Sequence, residues 1–234
     1  MPSDPHELLR LAERWSRDGT PLGDKRNALA ALDRAESLGA DRFTTDVLRA
    51  RTVFRVVEEN EGAAERAAWL QRGLDAAQAA IAERPDRAEG HYYLGVLLGL
   101  RAERATIGAL DDVPRIHAAA RAAVAADRTV DDCGPLRLMG MLLVAAPPWP
   151  QSIGDTEAGV EYLEMAAECS EFPLNRLLLA EALIEQGEFE RARELLRWVL
   201  DRPAAGRWGA VGNRYRPIAR DLLERSRNPE GRRR

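Results

Sequence analysis

The chain has 234 residues, 45% of them apolar and 31% charged, with a formal net charge of −4. Such a composition buries a sizeable core and excludes a disordered chain, and no apolar run reaches the roughly 18–20 residues of a membrane helix. With Cys133 and Cys169 as its only cysteines, the sequence argues against a disulfide-built fold, and both residues read as small core side chains.

Val, Ile and Thr together make about a tenth of the chain, while Ala, Leu, Glu and Arg dominate. That is helix chemistry. Asp4-Pro5-His6-Glu7 opens the first predicted helix, 5–17, with an N-cap, a proline and a reciprocal glutamate. Thr20-Pro21 and Asp41 open the second and third, 24–38 and 42–60. Glu61-Gly62 and Pro85-Asp86 bracket the fourth, 63–84, and the fifth covers 87–107. Asp111-Asp112 opens the sixth, 112–127, and Asp131-Asp132 reads as the cap of a seventh, 135–144. Pro147, Pro148 and Pro150 around Trp149 then forbid helix. Ile153-Gly154-Asp155 turns the chain into the eighth, 156–168. Gly187 separates the ninth, 174–186, from the tenth, 188–201, and the eleventh covers 211–226.

The expectation is one domain, 1–227, of about ten or eleven helices stacked as antiparallel hairpins, with a disordered basic tail at 228–234. From Arg202 onward ten arginines face three acids, a local +7, so the preceding body carries about −11. An acidic body with a basic end suits self-association or an anionic partner. Met1 to Arg10 lacks a charged region followed by an apolar one. The expected location is therefore cytoplasmic, or periplasmic as a lipoprotein if a leader has been removed.

Within 173–203, Ala180, Gly187 and Ala192 occupy small-residue positions, followed by Leu196 and Val199. This order of small and large positions resembles a tetratricopeptide repeat (TPR), and implies close helix–helix contact at all three small residues. A looser match starts near Ala88, with Leu94, Gly95 and Leu98 on a first helix and Pro85 before it. The fold class is therefore all-α, a right-handed α-solenoid.

A longer resemblance covers roughly 45–200. It is carried by Ala88-Glu89-Gly90-His91-Tyr92-Tyr93-Leu94-Gly95, Gly134-Pro135-Leu136-Arg137-Leu138-Met139-Gly140, Ala146-Pro147-Pro148-Trp149-Pro150 and Ser152-Ile153-Gly154-Asp155. These pieces resemble the cryptic-repeat proteins grouped with the T component of TRAP transporters, and more distantly the regulator-of-microtubule-dynamics repeat family. That resemblance implies an all-helical lipoprotein, trimeric around a ligand-accessible pore, partnering a periplasmic solute-binding protein.

First helices line the concave face of such stacks. His91 and Tyr92 are candidate partner-binding residues on that face, with Arg137 and Trp149 beside them. Trp149 has two readings: a core plug next to an inserted loop, which the burial of large aromatics favours, or an exposed anchor at one end of the groove. No paired-cysteine, His-Glu-x-x-His, EF-hand or phosphate-loop pattern is present, and no catalytic pair assembles. The expected function is a non-enzymatic scaffold holding a protein partner in its groove, with self-association. No cofactor, metal, nucleic acid or membrane span is expected. The alternative is a small-ligand-binding accessory subunit of a TRAP-type transport system.

Overall fold

The structure is a computed structural model and describes residues 2–17, 20–59, 63–103, 109–202 and 208–227. Among these residues the chain forms eleven α-helices and one short 3-10 turn. The helices are α1 (Pro5–Trp15), α2 (Leu22–Ser37), α3 (Arg42–Glu59), α4 (Ala63–Glu83), α5 (Ala88–Ala102), α6 (Val113–Ala126), α7 (Val130–Ala145), α8 (Thr156–Cys169), α9 (Pro173–Gln186), α10 (Phe189–Asp201) and α11 (Gly209–Arg227). No helix among the described residues is long and apolar enough to cross a membrane. The fifth helix, expected to reach 107, is described as far as Ala102. Residues 104–107 of that expectation, and the tail 228–234, lie outside the described residues.

The chain divides into two compact units, Met1–Val130 and Asp131–Arg234. In the first, each helix from α1 to α5 packs on its successor, and α3 also meets α5. The starts follow the sequence. Asp4 accepts from the His6 N–H at 2.9 Å, and Asp41 accepts from the Thr44 N–H at 2.9 Å. Both satisfy backbone donors that a helix cannot satisfy itself. Ala28, Leu32, Val53, Leu74, Ala77, Leu97 and Leu98 fill the core. Gly90 lets α5 approach α4, since a Cβ there would lie 2.9 Å from Ile81. Asp112 does not cap α6 with its side chain. It forms a fork with Arg101 instead, at 2.9 and 2.6 Å.

In the second unit α8 packs on α9, α9 on α10, and α11 on both α9 and α10. Leu163, Phe172, Leu183, Leu196 and Leu222 centre its core. Ala180 and Ala192 are fully buried there, as the repeat register requires. Gly187 differs from the expectation. It caps α9 in the left-handed conformation, φ 82°, and a Cβ would meet nothing closer than 3.9 Å. Its role is the turn, not a close helix approach. The close approach lies between α7 and α8: a Cβ on Gly140 would sit 2.8 Å from the Gly159 carbonyl, and one on Gly159 3.0 Å from the Gly140 carbonyl.

The start of α7 departs furthest from the sequence reading. Asp131, Asp132 and Cys133 all adopt positive φ, at 50°, 56° and 64°, so regular helix begins only at Gly134. The two aspartates are therefore not simple caps. The cysteines are not two separate core residues either: Cys133 is buried at 2% exposure, Cys169 is exposed, and a disulfide joins them. Composition could only count two thiols; the fold brings the start of α7 to the end of α8.

Candidate partner-binding site

The loop 146–155 has two opposed properties: its backbone is tied down and its largest side chain is not. Three prolines remove donors, and the N–H groups of Ala146, Gln151, Ser152, Gly154 and Asp155 find partners inside the loop or in α7. Gly154 donates to the Pro147 carbonyl at 2.8 Å, Gln151 to Pro148 at 3.1 Å, and Asp155 to Leu143 at 3.0 Å. Gly154 is obligatory, because a Cβ would fall 2.0 Å from the Ala146 carbonyl oxygen. Asp155 then caps α8 by accepting from the Ala158 N–H at 3.0 Å. Trp149 projects from this frame at 84% exposure. The core-plug reading is overturned: the prolines hold the chain outside the helix stack, so the indole has no core to enter.

Arg137 plays a different part. It is 6% exposed and belongs to a buried network. It donates to the Asn175 side-chain oxygen at 2.6 Å and to the Asp132 and Asp131 carbonyls at 3.2 and 3.3 Å. Its guanidinium also lies over the Phe172 ring, 5.3 Å from the centroid. Asn175, fully buried, returns donors to the Asp132 and Ala166 carbonyls at 3.0 and 2.9 Å. Ser170 donates to the Asp132 carboxylate at 3.0 Å. This is the machinery of the left-handed turn, and a partner cannot reach Arg137 without dismantling it. Asn175 was missed in the sequence, although it shares a helical face with Leu179, Ala182 and Leu183. A polar side chain at a core register was the available signal.

His91 and Tyr92 lie on α5, in the first unit. Tyr92 is 1% exposed and its ring meets that of Tyr93 at a tilt, with centroids 4.9 Å apart, so it is a core residue and not a surface anchor. Leu97 and Leu98 of the same helix are buried as well. His91 is half-buried and donates from Nε2 to the Pro85 carbonyl at 2.9 Å, which fixes the preceding loop.

The first unit does contain an open groove of about 650 Å³ between α2, α3 and α4, lined by charge. Arg49 reaches Glu36 and Asp46 at 2.6 Å each and Asp33 at 3.5 Å, while Arg72 reaches Asp33 at 2.5 Å. Burial pushes the Asp46 carboxyl up, opposed by the Arg49 charge beside it. These charges already satisfy one another.

One solved structure, a thermophilic TPR protein of Thermus thermophilus, superimposes with a TM-score of 0.66. The alignment covers 96% of this chain and 97% of that one, at 15% sequence identity. The fold is TPR-like. No family model and no curated protein matches the chain. The likeness carries the helical-repeat architecture and nothing about a ligand.

Proposed function

We propose that this chain is a non-enzymatic TPR-like scaffold that binds a protein partner through the braced loop carrying Trp149. The observation that supports this reading is a large apolar side chain left almost wholly in water on a backbone that is already fixed. An indole offers about 150–250 Å² of contact area, and tryptophan is among the commonest interface anchors. A loop ordered in advance loses little further entropy on docking. The charged groove of the first unit is the weaker candidate, because a partner there must first displace existing ion pairs.

The alternative of a small-ligand accessory subunit, as the TRAP T-component resemblance implies, asks for an enclosed, mostly apolar chamber. The groove described above is open and charged, which favours the scaffold. The Cys133–Cys169 bond supports the exported form of the localisation reading, since disulfides persist in oxidising compartments.

The test is a paired affinity purification from the source organism with wild-type protein and Trp149→Ala, both shown to be folded. A partner retained by the wild type and lost by the variant, then bound by purified wild type alone, is the expected result. Identical captures by the two proteins would remove the loop from the site. Sedimentation of the same pair reads out self-association through the same surface.

A further inference from the structure

We propose that the Cys133–Cys169 disulfide is a thiol–disulfide exchange site whose opening by a dithiol releases the left-handed turn at the start of α7. Three observations carry this. The two sulfurs belong to unlike surroundings, with Cys169 exposed at the end of α8 and Cys133 buried at 2% exposure. Three consecutive side-chain-bearing residues, Asp131, Asp132 and Cys133, hold positive φ, which such residues keep only where their surroundings over-determine it. The turn is also held by non-covalent ties, among them the Arg137 and Asn175 contacts to the two carbonyls, the Arg137–Asp131 ion pair at 3.5 Å and the Ser170 bond to Asp132.

The asymmetry sets the direction of the chemistry. A thiolate of the dithiol attacks the Cys169 Sγ; a new S–S bond forms there, the Cys133–Cys169 bond breaks, and the electron pair leaves on Cys133. That sulfur lies at the N-terminus of the regular helix beginning at Gly134, where the helix dipole favours a thiolate and so a good leaving group. The second thiol of the reagent then attacks its own sulfur on Cys169. It departs as a cyclic disulfide, and both protein thiolates take up protons. The dithiol is oxidised by two electrons and the protein disulfide is reduced by two. The class of partner is a dithiol reductant able to reach Cys169. Cys133 freed of its bond no longer pins the turn, and residues 131–133 can leave the left-handed region.

The experiment uses the full chain after air oxidation. Alkylation under denaturing conditions without reductant is expected to add no label, and alkylation after dithiothreitol is expected to add two. Hydrogen exchange is followed by mass spectrometry on the folded protein before and after dithiothreitol. Peptides covering 130–137 are expected to lose protection by roughly tenfold or more, and by more than peptides of α10. The double variant Cys133→Ser/Cys169→Ser is expected to match the reduced protein with or without reductant. Labelling of both cysteines without reductant would overturn the proposal, as would unchanged exchange at 130–137 on reduction. An equal loss of protection across α7 to α11 would also overturn it, since the bond would then hold the whole unit and not the turn. Should the double variant fail to fold, exchange in the reduced wild-type protein decides between the same outcomes.

Discussion

In the first unit α1 and α3 start on aspartate caps and α2 and α6 start at a proline, and charged residues pair across an open groove. In the second unit α7 starts with three left-handed residues, and its polar groups are held by a buried arginine, a buried asparagine and a disulfide. Both units bury the same kind of Ala/Leu core. The difference lies in what fixes the backbone between helices: local hydrogen bonds to exposed side chains in one, long-range buried ties in the other. Local fixation is individually weak and replaceable. Buried ties fail together when one partner is removed.

The largest effect is therefore expected at Asn175. Asn175→Ala leaves the Arg137 guanidinium facing an unfilled buried space and removes three hydrogen bonds, one of them to a charged group, which together cost about 3 kcal/mol or more. Urea denaturation of the second unit reads this; a change below about 1 kcal/mol would mean water replaces the amide. Next come the close-packed positions. Gly140→Val meets the Gly159 carbonyl and Leu163, and Ala192→Phe meets a fully buried site. Each overpacks by roughly 1–3 kcal/mol, and an unchanged midpoint for either would refute the packing assigned here.

The first unit is expected to yield less. Asp41→Ala removes the cap of α3 at a cost of about 1 kcal/mol. Thr44, through its hydroxyl and N–H, holds the Asp41 carboxyl below its ordinary value. A depressed folded-state pKa contributes stability that is complete above about pH 4, the unfolded value, and is lost as pH falls through the folded one. The stability gap between wild type and variant should close in that acid window and stay constant from about pH 5 to 7. The smallest effect belongs to Arg72→Ala. Its partner Asp33 is 53% exposed, so the loss should stay within about 1 kcal/mol and shrink in high salt.

The sequence made the local half of this comparison legible. Asp4, Asp41 and Asp155 are caps in the fold as in the pattern, and the Ala180, Ala192, Leu196 and Val199 register marks the α9–α10 packing. Long-range ties leave no local signal. Nothing near Cys133 says that Cys169, 36 residues on, ends one helix away, and a left-handed Asp-Asp-Cys turn exists only because Arg137 and Asn175 converge on its carbonyls. Tyr92 and Arg137 went astray for the same reason, since residue type announces a taste for interfaces without saying which way the side chain turns. At Trp149 two signals disagreed: average burial spoke for the core, the prolines on either side spoke for a segment that leaves it, and the indole is exposed.

The central claim is that the second unit's braced loop, and not the first unit's ion-paired groove, meets the partner. The most direct measurement is the calorimetric Kd of the purified partner for wild type, Trp149→Ala and Arg72→Ala. Both variants should keep the wild-type stability to within about 1 kcal/mol, because neither side chain is buried. The account predicts a roughly thirtyfold weaker Kd for Trp149→Ala, the equivalent of about 2 kcal/mol, and no change for Arg72→Ala. Wild-type affinity in folded Trp149→Ala together with a large loss in Arg72→Ala would contradict it and place the partner in the groove.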